Sequence, residues 1–274
     1  MNTPVMMIHG MCCTGEVWSQ FRSLFESRGV KVYTPTLRPE LRVGVRARPP
    51  RGLRELTLAD YVTDLEKEID QIEQETGTTP AVIGHSMGGL LASALTARGR
   101  TSAGVFISPA APAGIRTFQS HLFWSGFSFA HRMGWTPPVM RPNQRTLDRM
   151  VLNALPALER AAVLEAMVHE SGRAFADFAG FAIDETTVRV PVLVVAAGRD
   201  RLVPASLVRL TGRKFAAVGG EFREYPNHGH WLYSEPGWET PASDIFEWLS
   251  TATARAERAP RVDTTAEAQS IGGE

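Results

Sequence analysis

The chain has 274 residues, 43% of them hydrophobic, which is enough to bury one large core. Its 29 Lys and Arg residues balance its 29 Asp and Glu residues, so no overall electrostatic field attracts nucleic acid or an anionic membrane surface. We therefore expect no nucleic-acid partner.

The cysteines and the amino-terminal segment indicate the compartment. Cys12 and Cys13 are adjacent, an arrangement that suits neither a disulfide framework nor a metal site. The first apolar run ends at His9 after a few residues and follows no basic segment, so it is too short for a signal peptide or a membrane-spanning helix. These features predict a cytoplasmic protein with no membrane span and no metal or other cofactor.

The first elements in chain order predict a strand, a helix and a second strand. Residues 5–8 form a short apolar run, as expected of a strand buried on both faces of a parallel sheet. Apolar side chains within residues 17–25 recur at helical spacing, and Gly29 is placed to end that helix. Residues 30–35 predict a second strand, which a proline closes. This order begins a β-α-β unit.

Residues 38–54 form an arginine-rich loop. The segment carries six arginines together with proline and glycine. Charge runs are usually solvated, so we interpret the loop as an exposed connection. The alternative is that it holds an anionic substrate group, because loops that leave the carboxyl ends of parallel strands overhang the active-site crevice.

The most informative stretch is residues 84–89, Gly-His-Ser-Met-Gly-Gly. A helix with a capping box at residues 57–60 leads to an apolar strand at residues 80–83, and a small-residue helix follows the stretch. Glycines two residues either side of Ser86 allow a turn so tight that the serine hydroxyl is exposed. The stretch predicts a nucleophile elbow in which the Met87 amide can donate to an oxyanion. The alternative for Ser86 is a small residue in an ordinary tight turn.

Residues 110–187 interrupt the alternation of short strands and helices. The segment shows helical patterns and no convincing strand, so we predict an all-helical lid inserted between two parallel strands. Most of its aromatic residues should form the lid core, whereas a minority should line the substrate pocket, because pockets are mainly apolar and aromatic. The pocket candidates are Phe123, Trp124 and Phe127.

The sheet resumes at residues 190–196, and a last short strand is predicted at residues 222–225. Asp200 and His230 each follow one of these strands, so we expect both at the sheet edge that carries Ser86. A serine hydroxyl is a weak nucleophile at neutral pH and needs a base beside it and a third group that orients the base. A histidine and a carboxylate supply these groups.

Two members of this set have competitors. Asp200 is also suited to capping the helix that includes Pro204, and Asp184 would then be another candidate for the acid. His228 competes with His230 for the role of the base. If His230 is the base, His228 supports the loop.

These motifs resemble, in their order and spacing, those of the α/β-hydrolase fold family over residues 3–250. The matching pieces are His9-Gly10, the elbow at residues 84–89, Gly198-Arg199-Asp200 with Val203-Pro204, and Gly229-His230-Trp231 with Glu235-Pro236. The resemblance implies a mostly parallel, doubly wound α/β sheet with an inserted helical lid. It also implies a role for each site residue: Ser86 as nucleophile, His230 as general base and then acid, Asp200 as the orienting carboxylate, and the amides of Met11 and Met87 as the oxyanion hole.

The sequence patterns, together with this resemblance, divide the chain. Residues 1–109 and 188–254 are expected to form the hydrolase core, residues 110–187 the lid, and residues 255–274 a flexible tail. Four further residues beside the motifs are expected to shape the site or contact substrate: His9, Cys12, His85 and Trp231.

The predicted activity is that of a serine hydrolase that cleaves an ester, thioester or lactone of a fairly apolar small molecule through an acyl-enzyme. The chain opens at its first sheet strand, which is similar to the hydroxynitrile lyase and plant methylesterase branch, so a cofactor-free lyase, cyclase or haloperoxidase-like enzyme is an alternative. Lys214 is the only lysine after Lys67, which weighs against cyanohydrin cleavage. A non-catalytic ligand-binding relative is the other alternative. Both a monomer and a homodimer fit the sequence.

Overall fold

The computed structural model describes residues 1–115, 130, 133–134 and 137–258. Its strands are β1 (Val5–Ile8), β2 (Val32–Tyr33), β3 (Ala81–His85), β4 (Gly104–Ile107), β5 (Val139–Met140), β6 (Glu170–Ser171), β7 (Val192–Ala197) and β8 (Glu221–Tyr225). Six of them form one wholly parallel sheet in the order β2-β1-β3-β4-β7-β8, and the strand that leads into the elbow lies near its middle. The α/β class predicted from the sequence is confirmed.

Helices flank this sheet. The α-helices of the described residues are α1 (Ser19–Ser27), α2 (Leu58–Thr76), α3 (Met87–Ala97), α4 (Gln144–Thr146), α5 (Ala157–Ala166), α6 (Gly172–Asp177), α7 (Ala205–Ala216) and α8 (Glu239–Arg258). The capping box is confirmed, because the Thr57 hydroxyl accepts from the Asp60 amide and the Asp60 carboxylate accepts from the Thr57 amide. None of the described helices is both long and apolar enough to cross a membrane.

The central strands are buried on both faces. Every residue of β1, β3, β4 and β7 is buried, and successive side chains point to opposite faces of the sheet. Met6 and Ile8 therefore join one apolar cluster, while Val5 and Met7 join the other. The continuous apolar runs of the sequence arise from this two-sided burial.

Several boundaries differ from the prediction. The second strand has two residues instead of six, and α8 extends to residue 258, into the segment predicted to be a flexible tail. The prediction of no strand within residues 110–187 is wrong, because β5 and β6 form an antiparallel pair there. Two-residue strands are too short to carry an alternating pattern in the sequence. Pro204 immediately precedes α7 rather than lying in its first turn.

Candidate active site

Ser86 joins β3 to α3 in a strained conformation. Its φ of 55° and ψ of −117° lie in a region that residues with a side chain rarely adopt. The Ser86 amide donates to the Ile107 carbonyl at 3.0 Å, and its own carbonyl accepts from the amides of Gly89 and Leu90 at 3.0 and 3.2 Å. Bonds to the neighbouring strand and to the first turn of α3 thus hold the serine in this conformation.

The two glycines of the elbow have no room for a side chain. A Cβ atom at Gly84 would overlap the carbonyl of Gly88, and a Cβ atom at Gly88 would overlap the carbonyl of Ile8. The start of α3 therefore packs directly against β1 and β3. This is the physical reason for the glycine spacing seen in the sequence.

Solvent reaches the elbow only at the serine. From Pro80 to Thr96 every residue is buried except Ser86, which is half-buried. A polar side chain at the one accessible point of a buried strand-turn-helix unit is available to a ligand. The fold therefore presents the Ser86 side chain and little else of this unit.

The loop at residues 9–12, called here the 9–12 loop, lies beside Ser86. A Cβ atom at Gly10 would be 3.2 Å from the Ser86 Cβ, so the loop lies next to the serine side chain. Neither the Met11 amide nor the Met87 amide has an acceptor among the described residues. Met87 is the first residue of α3, where an N–H has no partner within the helix and the helix dipole favours negative charge. Within the described part of the chain, the two amides are thus available to bind an oxyanion.

His230 and Asp200 form a buried pair. His230 Nδ1 lies 2.7 Å from Asp200 Oδ2, and both side chains are almost fully buried. The other carboxylate oxygen, Oδ1, accepts from the amides of Leu202 and Val203, each at 2.8 Å. Asp200 does not cap α7, which begins at Ala205. Because Asp200 accepts at Nδ1, the histidine proton is held there and Nε2 is left to act as a base.

His85 connects His230 to the elbow. Its Nε2 lies 2.8 Å from the His230 carbonyl oxygen and must therefore carry the proton that is donated. The two rings are 4.6 Å apart between centroids. Burial, and then the charge on His230, lower the pKa of His85 well below its usual value, so the ring is neutral. His85 therefore holds His230 beside the elbow.

Glu235 holds the backbone on both sides of His230. Its Oε2 accepts from the Gly229 amide at 2.7 Å, and its Oε1 accepts from the Trp231 amide at 3.1 Å. The sequence motif includes Glu235, but sequence reasoning assigned it no role. Its signal was a carboxylate in a turn rich in aromatic and apolar residues, where burial requires a set of donors.

The competing histidine and acid lie in other environments. His228 Nδ1 is 3.4 Å from Glu235 Oε2, and its carbonyl accepts from the Arg199 amide at 2.8 Å, so it packs within the loop. Asp184 is exposed and accepts from the amide and hydroxyl of Thr186. Neither His228 nor Asp184 takes part in the short, buried contact that joins His230 to Asp200.

The substrate-contact candidates are placed in several ways. His9 is fully buried, and its Nε2 accepts from the Leu37 amide at 3.1 Å. Burial, and then the charge on Arg42, lower the pKa of His9 to about 4. We therefore assign His9 and His85 to support of the site rather than to substrate contact. Trp231 is mostly buried against Tyr233, whereas Cys12 is a partly exposed residue whose thiol is buried. Phe123, Trp124 and Phe127 lie outside the described residues.

The arginine-rich loop is only partly solvated. Arg38 and Arg46 pair with Asp64 and Glu165 and keep substantial exposure. Arg42, in contrast, is buried, so the interpretation of residues 38–54 as an exposed connection is wrong at this position. No cluster of His, Cys, Asp or Glu that could hold a metal ion is found within the described part of the chain.

We expect both cysteines to be unreactive in the folded protein. Burial raises the pKa of Cys13 to about 12, and burial followed by the charge on Glu170 raises that of Cys12 well above its usual value. At pH 8 about one Cys13 side chain in 10⁴ is then a thiolate. Iodoacetamide at pH 8 should leave the intact mass of the native protein unchanged and add two labels after unfolding in guanidinium chloride. Rapid native labelling of either thiol would contradict this expectation.

Comparison with known proteins identifies the family. The sequence profile of the alpha/beta hydrolase family matches residues 5–239. Because the match covers most of the chain, the protein belongs to this family.

Individual relatives carry several activities. The chain is 26% identical over 256 residues to a monoacylglycerol lipase of Mycolicibacterium smegmatis, covering 89% of this chain and 87% of the relative. It is similar in structure to an Arabidopsis methylesterase, with a TM-score of 0.68, 13% identity and coverage of 91% and 99%. It is also similar to tomato methylketone synthase I, with a TM-score of 0.66, 16% identity and coverage of 92% and 99%. At these identities the two structures report on the fold alone.

Proposed function

We propose that the protein is a serine hydrolase that cleaves an ester, thioester or lactone bond of a fairly apolar small molecule through an acyl-enzyme. The proposal rests on the placement of Ser86, which is the one residue of the buried elbow that solvent reaches and lies on a strained turn. Two backbone amides without an acceptor among the described residues and the buried His230–Asp200 pair accompany it. Nucleophile, base, orienting acid and oxyanion donors are the groups that acyl transfer requires.

The proposed reaction begins with attack of Ser86 Oγ on the carbonyl carbon of the substrate. His230 Nε2 takes the serine proton, and the amides of Met11 and Met87 donate to the oxyanion of the tetrahedral intermediate. Asp200 keeps the proton on Nδ1 and stabilises the imidazolium. Collapse of the intermediate breaks the bond to the leaving group, which receives the proton from Nε2. Water then attacks the acyl-enzyme by the same route and releases the acid.

An ester is the favoured substrate among these classes. One sequence relative that matches most of this chain, the monoacylglycerol lipase, is named for ester cleavage. The aromatic-rich sequence of residues 110–187 suits an apolar substrate.

The lysines argue against the cyanohydrin lyase alternative, which would need a lysine in the site. All three lysines of the sequence lie within the described residues and have side chains that are 43% exposed or more. Each pairs with a carboxylate: Lys31 with Glu75, Lys67 with Asp64, and Lys214 with Glu185. No lysine is therefore available to act in the site around Ser86 as a cyanohydrin lyase would require.

A fluorophosphonate probe tests the proposal. We expect the wild-type protein to gain one adduct, located on the peptide that contains Ser86, and the Ser86→Ala variant to gain none. Intact mass spectra recorded soon after mixing with activated esters should also show an acyl-enzyme. Ser93→Ala is the matched control, because the buried Ser93 hydroxyl donates to the Leu90 carbonyl within α3.

Two results would count against the proposal. Equal labelling of wild type and Ser86→Ala would remove Ser86 as the nucleophile. Turnover without any acyl-enzyme, even under rapid quenching, would favour proton-transfer chemistry such as that of a lyase.

A further inference from the structure

Arg42 and Glu170 form an ion pair inside the protein. The Arg42 Nη1 atom lies 2.6 Å from Glu170 Oε2, and the two side chains are 1% and 0% exposed. A buried ion pair usually gives little more stability than apolar residues of the same size, because both charges lose their hydration. Its presence therefore calls for an explanation other than stability.

The Glu170 carboxylate is fully engaged. Its Oε1 accepts from the Tyr61 hydroxyl at 2.6 Å and from the Ser171 amide at 2.8 Å. Its Oε2 accepts from Arg42 and, at 3.5 Å, from the Cys12 amide. Burial raises the pKa of Glu170, but the charge on Arg42 and these hydrogen bonds lower it more, so the carboxylate stays ionised.

Cys12 ends the 9–12 loop in a strained conformation. Its φ of 59° is in the left-handed region, which persists for a residue with a side chain only where the surroundings hold it. The Cys12 amide faces Glu170, and its carbonyl accepts from the Val168 amide at 3.0 Å. Val168 and Glu170, the first residue of β6, thus hold the two backbone groups of the residue that follows Met11.

Arg42 also reaches the other end of the 9–12 loop. Its Nε donates to the Leu37 carbonyl at 2.8 Å, and the Leu37 amide donates to His9 Nε2 at 3.1 Å. Arg42 further donates to the His169 carbonyl at 3.3 Å. The guanidinium is therefore bonded to the groups that hold both ends of the loop.

We propose that Arg42 and Glu170 are positioning residues that hold the 9–12 loop so that the Met11 amide points at the oxyanion. The inference rests on the proposed function of Ser86 as an acylated nucleophile. Neither side chain touches the reacting atoms. Residues 168–171, which are far from the elbow in the sequence, thereby become part of the support of the oxyanion hole.

Two variants disrupt the set of acceptors that Glu170 provides. In Glu170→Gln one carboxylate oxygen becomes an NH₂ group, so the side chain can no longer accept both from the Ser171 amide on one side and from Arg42 and the Cys12 amide on the other. The double variant Arg42→Met/Glu170→Gln makes the same change without leaving a buried unpaired charge, so it should fold. Arg38→Gln is the control, because Arg38 belongs to the same arginine-rich segment but bonds to Asp64 on α2.

The readout compares two inhibitors of the same shape. A trifluoromethyl ketone adds to the serine and places an oxyanion in the hole, whereas the matching methyl ketone binds without adding. Both variants should weaken the trifluoromethyl ketone by about 10- to 100-fold, less than the loss of a whole oxyanion donor, and change the methyl ketone less than about 2-fold. For an ester, kcat should fall by a similar factor with KM nearly constant, because the loss is specific to the transition state.

The possible outcomes are separable. A wild-type protein that binds both ketones equally would overturn the proposed function and this inference with it. If the wild type prefers the trifluoromethyl ketone and the double variant keeps that preference, the positioning role alone is refuted. Equal weakening of both ketones would indicate general damage to the site and also refute it. If Glu170→Gln does not fold, the double variant decides, and Arg38→Gln should match the wild type.

Discussion

Replacing His230 with alanine should lower kcat/KM for the preferred ester by about 10⁴-fold or more. In the proposed reaction His230 Nε2 accepts the serine proton and later donates it to the leaving group, so its loss removes both transfers. The 2.7 Å bond from Nδ1 to Asp200 and the 2.8 Å contact between His85 Nε2 and the His230 carbonyl fix the ring in the site. Initial rates on a panel of glycerol monoesters, methyl esters and thioesters would measure the loss.

His228→Ala is the matched control for this prediction. The two histidines are two residues apart and both buried, but His228 faces Glu235 at 3.4 Å instead of Asp200. We expect it to cost less than about 10-fold in kcat/KM, through loosening of the loop. A dead His228→Ala enzyme beside an active His230→Ala enzyme would show that the wrong histidine has been chosen as the base.

The contact between Asp200 and His230 could be expected from the sequence. The carboxyl ends of parallel strands lie at one edge of the sheet, and β7 and β8 are neighbours, so polar residues that follow these two strands lie close together at the edge where β3 ends. The glycines around Ser86 were equally informative, because only their missing side chains allow α3 to approach β1. Both features could be predicted from the sequence, because the first follows from a general rule of parallel sheets and the second from local geometry. The catalytic roles themselves stay a prediction.

The Arg42–Glu170 pair could not be expected. Its members are 128 residues apart, and the sequence near Arg42 reads as a run of surface charge. Arg42 can be buried only because Glu170, from a distant segment, lies beside it. Nothing in the local sequence shows which of the six arginines will be the buried one. The role of Glu235 could not be predicted for a related reason. Its carboxylate accepts from backbone amides, and such bonds do not require any particular side chain at the donor residues.

The histidines next to the motifs show a further limit. His9 and His85 were expected to shape the site or contact substrate because they flank the elbow and the first strand. In the fold their ring nitrogens bond to backbone groups, and burial makes both rings neutral. Proximity in sequence to a reactive group therefore does not determine whether a side chain faces the ligand or the protein.

Asp200→Asn should lower kcat/KM by about 10⁴-fold while the fold is preserved. Oδ1 accepts from the amides of Leu202 and Val203, each at 2.8 Å, so in the variant the amide oxygen must take this position. The NH₂ group then lies where Oδ2 accepted from His230. It can only donate, so His230 Nδ1 becomes the acceptor and the proton moves to Nε2. A ring protonated at Nε2 cannot accept the proton of Ser86.

The fluorophosphonate labelling rate and the ester turnover of Asp200→Asn should therefore fall together, since both need the serine to be activated. Asp184→Asn is the control that tests the competing acid: Asp184 is exposed and bonds to Thr186 in its own turn, so its amide should leave the rates within about 2-fold. If Asp200→Asn kept near-wild-type turnover, the buried pair with His230 would be structural. If Asp184→Asn were instead the inactive variant, the orienting acid would have to be reassigned. We expect neither result, because the amides of Leu202 and Val203 are backbone donors and remain in place in any side-chain variant of residue 200.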